Sequence, residues 1–288
     1  MGKKIGLLAA VAHGARFVLN RSGFHSRSVP TSIGTLHAYD AQGTGTLPTI
    51  VLLHGLGSAS TSFGPLLTRM RPHAQRLVAL DLPGHGFSQD PSRQLTPQAL
   101  FAAVCEAVDA LVAEPMMLVG GSLGGALALR YAVERPRRVA GLALLSPAAA
   151  RTSASEWQVL RDTFKIETAA DARRLLARLY HRPPWYLPAL ASGVRDVLNG
   201  TAVRDVLGTA TMDDLPAAHA LPTLAMPILL LWGQSERLLP ASALAYFRQH
   251  LPPHAVIEEP RGFGHCPHFD DPARLASRLV DFARTAIA

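Results

Sequence analysis

Met116-Met117-Leu118-Val119-Gly120-Gly121-Ser122-Leu123-Gly124-Gly125-Ala126-Leu127-Ala128-Leu129 is the stretch that decides the fold. Its first four residues read as a short buried strand, and the small apolar residues after Gly124 read as a helix packed tightly behind it. Between them lies the pattern G-x-S-x-G. It places a serine on a sharp strand-to-helix turn with an unfavourable backbone, where side chains at positions 120 and 124 would collide with the neighbouring strand and helix. The strain lifts the hydroxyl above the sheet edge, within reach of a base and a substrate. G-x-S-x-G alone arises often by chance, so its weight rests on what accompanies it.

Three further segments follow the same grammar. The apolar run Thr49-Ile50-Val51-Leu52-Leu53 leads into His54-Gly55-Leu56-Gly57, and Arg76-Leu77-Val78-Ala79-Leu80 leads into Asp81-Leu82-Pro83-Gly84-His85-Gly86-Phe87-Ser88. Late in the chain come Ile228-Leu229-Leu230-Leu231-Trp232-Gly233-Gln234-Ser235-Glu236 and then Gly262-Phe263-Gly264-His265-Cys266-Pro267-His268. With these four motifs in order, the chain resembles the α/β-hydrolase family over roughly residues 30–288. The resemblance implies an α/β fold: a mostly parallel eight-stranded sheet flanked by helices, with a helical cap inserted after strand 6.

The pattern of the chain agrees with that expectation. Residues 28–40 read as a hairpin turning near Ile33-Gly34, helices are expected over 60–70 and 97–113, and Val139–Leu145 reads as a buried strand. From there to about residue 225 the strand rhythm gives way to helices broken by prolines. Strands resume over 227–232 and 255–259, with helices over 241–250 and 272–286. Alternating strands and helices imply a sheet covered on both faces. The expected division is an N-terminal helical extension (1–27), a core (28–147 and 226–288) and a helical cap (148–225).

Composition narrows the function classes. The formal charge of +7 could suit an anionic partner. The cations are nearly all arginines, scattered without a dense run or interleaved aromatics, which argues against nucleic-acid binding. Two cysteines, Cys105 and Cys266, do not make a disulfide framework, and no metal-ligand spacing is present, so neither a metal nor another cofactor is expected. At the N-terminus, Lys3-Lys4 precede an apolar run from Ile5 to Ala12. Residues 3–20 read as a helix that packs on the domain or lies in a membrane interface, which would put the protein in the cytoplasm in contact with a membrane. The alternative is a signal peptide and export, for which a clean cleavage pattern is missing.

A serine hydroxyl is a poor nucleophile near neutral pH and needs a base and an orienting acid. Of the twelve histidines, the family resemblance points to His265 as the base, with His54 and His85 in loop packing, His268 bracing its own loop and His181 in the cap. The same resemblance places the acid at Glu236, where most relatives carry aspartate. Asp213 and Asp214 read instead as capping or solvated groups at the end of the cap. The backbone N–H groups of Leu56 and Leu123 are the expected oxyanion donors. Arg182-Pro183-Pro184-Trp185-Tyr186-Leu187-Pro188 resembles the Pro-rich aromatic cap segment of monoacylglycerol-lipase-like bacterial lipases and esterases. Trp185 and Tyr186 are therefore candidate substrate contacts, or else core of the cap. The expected activity is hydrolysis of a small-molecule carboxylic ester, medium-chain or lipidic, through an acyl-enzyme. A carbon–carbon bond hydrolase or peptidase of the same fold, and a non-catalytic binding or receptor module, are the alternatives.

Overall fold

The structure is a computed structural model that describes residues 6–287. Eight strands form one sheet: β1 (His25–Thr31), β2 (Gly34–Gln42), β3 (Ile50–Leu53), β4 (Arg76–Leu80), β5 (Met116–Gly121), β6 (Val139–Leu145), β7 (Ile228–Leu231) and β8 (Val256–Glu258). Their spatial order is β1-β2-β4-β3-β5-β6-β7-β8. The β1–β2 and β2–β4 pairs are antiparallel and the rest are parallel.

Eleven helices are described: α1 (Leu7–Arg21), α2 (Gly64–Met70), α3 (Pro97–Leu111), α4 (Leu123–Glu134), α5 (Ala154–Thr163), α6 (Ala169–Leu179), α7 (Leu187–Leu198), α8 (Thr201–Thr209), α9 (Ala241–His250), α10 (Pro267–Asp270) and α11 (Pro272–Ala286). Helices α5–α8 lie between β6 and β7 in the chain. The expected N-terminal helix is α1; Lys3, Lys4 and Ile5 lie outside the described residues.

The central strands are buried along their whole length because both sheet faces are covered. Side chains alternate between two cores. Val51 and Leu53 join α3 and α4 on one face, whereas Ile50 and Leu52 join α2 and α11 on the other. Each such leucine or isoleucine contributes about 1.5–3 kcal/mol on burial. Local chemistry fixes where helices begin. The Thr96 hydroxyl accepts from Ala99 N–H at the start of α3, and the Asp271 carboxylate does the same for Arg274 N–H at the start of α11. Each is followed by a proline with no N–H to leave unpaired. The helix expected over 60–70 is divided into a 3-10 turn (Ser60–Phe63) and α2. Ser60 donates both its N–H and its hydroxyl to Asp81, which pins the first turn to the end of β4.

At the sheet centre, β5 ends opposite Leu53 on one side and Leu145 on the other, and the chain turns directly into α4. A Cβ on Gly120 would lie 2.2 Å from Gly124 O, and one on Gly124 would lie 2.2 Å from Leu53 O. These contacts are backbone, so neither can yield. Gly124→Ala is therefore expected to destabilise the fold by about 3 kcal/mol or more, read as a lowered urea midpoint with an unchanged slope.

Candidate active site

Ser122 sits at the turn between β5 and α4 with φ 52° and ψ −119°. Three backbone hydrogen bonds hold it there: Ser122 N–H to Leu145 O at 3.0 Å, and Ser122 O accepting from Ala126 N–H at 3.1 Å and Ala148 N–H at 3.0 Å. Its side chain abuts the loop after β3, where a Cβ on Gly55 would lie 3.1 Å from Ser122 Cβ and 3.7 Å from its Oγ. That loop is itself locked. His54 Nδ1 donates to Gly55 O at 2.8 Å, and its Nε2 accepts from Leu82 N–H at 3.0 Å, which fixes the neutral Nδ1–H tautomer. Burial, reinforced by the neighbouring His85, lowers the His54 pKa to about 4 despite the nearby Asp81.

Glu236 and His265 meet between the loops that follow β7 and β8. His265 Nδ1 donates to Glu236 Oε2 at 2.8 Å, and both side chains are only 2% exposed. The other carboxylate oxygen, Oε1, accepts from Leu238 N–H at 2.8 Å and Leu239 N–H at 3.0 Å. Glutamate's extra methylene is thus taken up by folding the carboxylate back onto the loop that carries it. Burial works against ionisation, but the His265 ring and the loop amides outweigh it and hold the Glu236 carboxyl below its ordinary value. The Ser146 hydroxyl, buried without a well-formed hydrogen bond, is close enough to favour the same charged form. With Nδ1 engaged, Nε2 of His265 is left as the basic nitrogen.

Among the described residues, neither Ser122 Oγ nor His265 Nε2 makes a hydrogen bond, so no Ser122–His265 hydrogen bond is formed. Such contacts commonly tighten only when substrate binds. The His268 ring feels both the His265 and the His54 rings, which together with burial lower its pKa to about 3. That ring packs against Phe63 at 4.8 Å. The N–H groups of Leu56 and Leu123 have no acceptor among the described residues, and both residues line the same cavity as Ser122. The cavity encloses about 110 Å³ between α4 and the α5–α8 segment, with walls that include Leu100, Leu127, Trp157, Leu160, Phe164 and Leu207.

Of the residues singled out in the sequence, Trp185 and Tyr186 do not reach this cavity. Trp185 is 90% exposed and stands on the outer surface before α7, whose buried face is Leu187, Ala191 and Leu198. The aromatic walls are Trp157 of α5 and Phe164 just after it. Asp214 caps the turn at Thr211, and Asp213 is exposed beside Arg151. His181 is not confined to the cap segment. Its Nδ1 lies 2.7 Å from Ser235 Oγ, and its N–H donates to Asp270 at 2.8 Å, while Asp270 also accepts from Gly264 N–H at 2.6 Å.

Asp81 carried no assigned role in the sequence, yet it organises the turn bearing its motif. Its fully buried carboxylate accepts from Ser60 N–H, Ser60 Oγ, His37 Nδ1 and Phe87 N–H at 2.6–3.0 Å. Burial would raise its pKa, but the His37 and His54 rings and these donors together hold it low. The signal for such a role was the acid placed directly at a strand end before Pro-Gly-His-Gly.

Residues 48–272 match the family described as alpha/beta hydrolase fold. The chain is 34% identical over 248 residues to a pimeloyl-[acyl-carrier protein] methyl ester esterase of Xanthomonas oryzae pv. oryzae, covering 81% of this chain and 95% of that one. Among solved structures, a bacterial membrane phospholipase A superposes with a TM-score of 0.79 at 25% identity, over 96% of this chain and 93% of the other. A carboxylesterase from Bacillus subtilis gives 0.75 at 19% identity, over 95% and 98%, a likeness of fold.

The buried rings and acids give acid destabilisation in two windows. Between about pH 6.5 and pH 4 the unfolded chain protonates a histidine that the fold keeps neutral at position 54. Stability is expected to fall across that window by about 3 kcal/mol for this ring. Glu236 and Asp81 have lowered pKa values, so their contribution is complete above the ordinary carboxylate range and is lost as pH falls below it. Urea unfolding of the wild type and His54→Gln checks the first window, where the variant should show the shallower slope.

Proposed function

The chain belongs to the α/β-hydrolase family and is a carboxylic ester hydrolase of that fold, and from this premise we propose that it cleaves medium-chain acyl esters through an acyl-enzyme on Ser122. The observation that carries the reading is a serine on a strained turn in the wall of an apolar cavity, with the buried Glu236–His265 pair held on the loops that leave the same sheet edge after β7 and β8. In the first step Ser122 Oγ attacks the ester carbonyl and gives its proton to His265 Nε2. Glu236 stabilises the imidazolium and holds the ring in place. The carbonyl oxygen becomes an oxyanion in the space served by the Leu56 and Leu123 N–H groups, where two such donors supply several kcal/mol. The intermediate collapses to the acyl-enzyme, and the alkoxide leaves as an alcohol carrying the proton from His265. Water then repeats the sequence with His265 as base, releasing the acid and restoring Ser122.

The leucines whose amides bind the oxyanion also present apolar side chains to the acyl group. From Ser122 to Arg130, both of which line the cavity, α4 advances about 12 Å, on the order of nine extended methylenes. That length, and the methyl ester named for the Xanthomonas relative, favour a medium-chain acyl group with a small alcohol. A lipid ester is the second reading, favoured by the apolar walls and by the likeness to the membrane phospholipase A.

Ser122→Ala is expected to lower turnover of p-nitrophenyl esters by about 10⁴-fold or more while the fold persists. Retained hydrolysis in that variant would remove the nucleophile, and no hydrolysis by the wild type would favour a binding module. Glu236→Gln is expected to cost less than loss of the serine, and Asp213→Asn and Asp214→Asn to be silent. Leu160→Trp, which fills the cavity wall, is expected to reduce octanoate turnover about tenfold and leave acetate within about twofold.

A further inference from the structure

Helix α1 has two apolar sides, and only one of them is used. Leu8, Ala12, Ala15 and Leu19 face the protein: Leu19 is buried against the start of α2, and Leu8 packs so closely on α7 that a Cβ on Gly193 would lie 2.6 Å from Leu8 Cβ. A polar side, His13 and Arg16, is also engaged. Arg16 stacks over the Phe87 ring at 4.5 Å, and His13 meets the same ring edge-on at 5.5 Å. On the third side Leu7, Val11 and Val18 fall within about 40° of arc, and Phe17 lies about 80° further round, toward His13. All four are exposed, Phe17 by 63%. Helix α7, on which α1 leans, begins directly after the bare Trp185 and half-exposed Tyr186. A surface helix that is apolar on both its inner and outer sides requires something to cover the outer one.

Charge says what kind of surface that is. Residues 1–39 carry Lys3, Lys4, Arg16, Arg21 and Arg27 and not one aspartate or glutamate, the first acid being Asp40. Arg21 reaches over Phe17 at 5.9 Å, so a guanidinium borders the apolar stripe itself. Basic groups at the margin of a Leu, Val and Phe stripe, with tryptophan and tyrosine near by, suit a bilayer interface with anionic headgroups. A second copy of the chain fits less well, because a symmetric contact would set this acid-free helix against itself, like charge against like. No described helix is long and apolar enough to cross a membrane.

We propose that the outer stripe of α1 (Leu7, Val11, Phe17 and Val18), together with Trp185 and Tyr186, docks the protein on an anionic lipid bilayer, with α1 lying in the interface plane. The proposal goes beyond the ester-hydrolysis reading and is tested without turnover. The full-length protein is mixed with vesicles of phosphatidylcholine alone or with added phosphatidylglycerol, and bound protein is measured by sedimentation. Binding is expected to be about tenfold stronger with phosphatidylglycerol and to weaken with salt. Leu7→Ser/Val11→Ser/Phe17→Ser should lose about tenfold of that binding, while turnover of a water-soluble acetate ester stays within about twofold. Tryptophan emission should shift to the blue on the anionic vesicles, and the shift should vanish in Trp185→Phe, since Trp232 is buried and Trp157 lines the cavity. Equal binding to both vesicles, no binding, or undiminished binding by the triple variant would overturn the proposal. So would a wild-type dimer that the triple variant splits while neither form binds vesicles, which would assign the stripe to a second copy.

Discussion

Ser122 occupies a backbone conformation that costs an L-residue about 1–3 kcal/mol, and much of the molecule is arranged so that it has no alternative. The strain cannot relax toward β5, because Gly120 is closed in by the backbone of Gly124 and Gly125. It cannot relax along α4, because Gly124 rests on the carbonyls of Leu53 and His54. Three main-chain hydrogen bonds then tie the residue to the end of β6, to the segment after it and to the first turn of α4. The strand cores on both faces of the sheet supply the stability that offsets the strained turn. The serine side chain is consequently held at the floor of the cavity by the fold itself and needs no side-chain partner to stay there.

Two buried carboxylates flank this turn and do opposite kinds of work. Asp81 is saturated by four donors from Ser60, His37 and Phe87, so all of its lone-pair capacity is spent on fixing loops. Glu236 divides its oxygens, one on two amides of its own loop and one on His265. The first oxygen makes the second directional: with Oε1 anchored, Oε2 has one place to be, and the imidazole is oriented by it. A buried charge that lost either set of partners would be left uncompensated, a change typically costing several kcal/mol. The same reasoning explains how a glutamate serves as the orienting acid at this position. The longer arm reaches the ring only because the backbone at Leu238 and Leu239 offers donors where the arm must bend.

What was legible in the sequence was whatever depends on residue type at fixed spacing. The buried runs of β3, β5, β6 and β7 contain little besides Leu, Val, Ile, Met, Ala and Gly, and the turn after β5 needs glycines at 120 and 124, so the sheet and the position of Ser122 could be read directly. The meeting of Glu236 with His265 also followed from their motifs. The cavity walls did not. Trp157 and Phe164 belong to a segment with few buried residues, and nothing in its composition separates a wall from a solvent-facing ring. Trp185 and Tyr186, in a Pro-rich aromatic run, drew the assignment and instead lie outside, because the buried side of α7 begins at Leu187.

The ties between the α5–α8 segment and the His265 loop were hidden for a deeper reason. Asp270 bridges the N–H of Gly264, adjacent to His265, and the N–H of His181, and Cys266 N–H donates to Leu179 O at 2.9 Å. The main-chain groups that make these ties are available at almost every residue, and a single aspartate in a short helix does not announce which of them its carboxylate will bridge. Yet they matter to the geometry. Gly264 lies so close to the backbone of Tyr180 and His181 that a Cβ there would be 2.7 Å away, which leaves the two segments no freedom to slide past each other at that point. The end of α6 and the loop that presents the imidazole are therefore one mechanical unit along this edge, and the position of His265 is set by that contact as well as by Glu236.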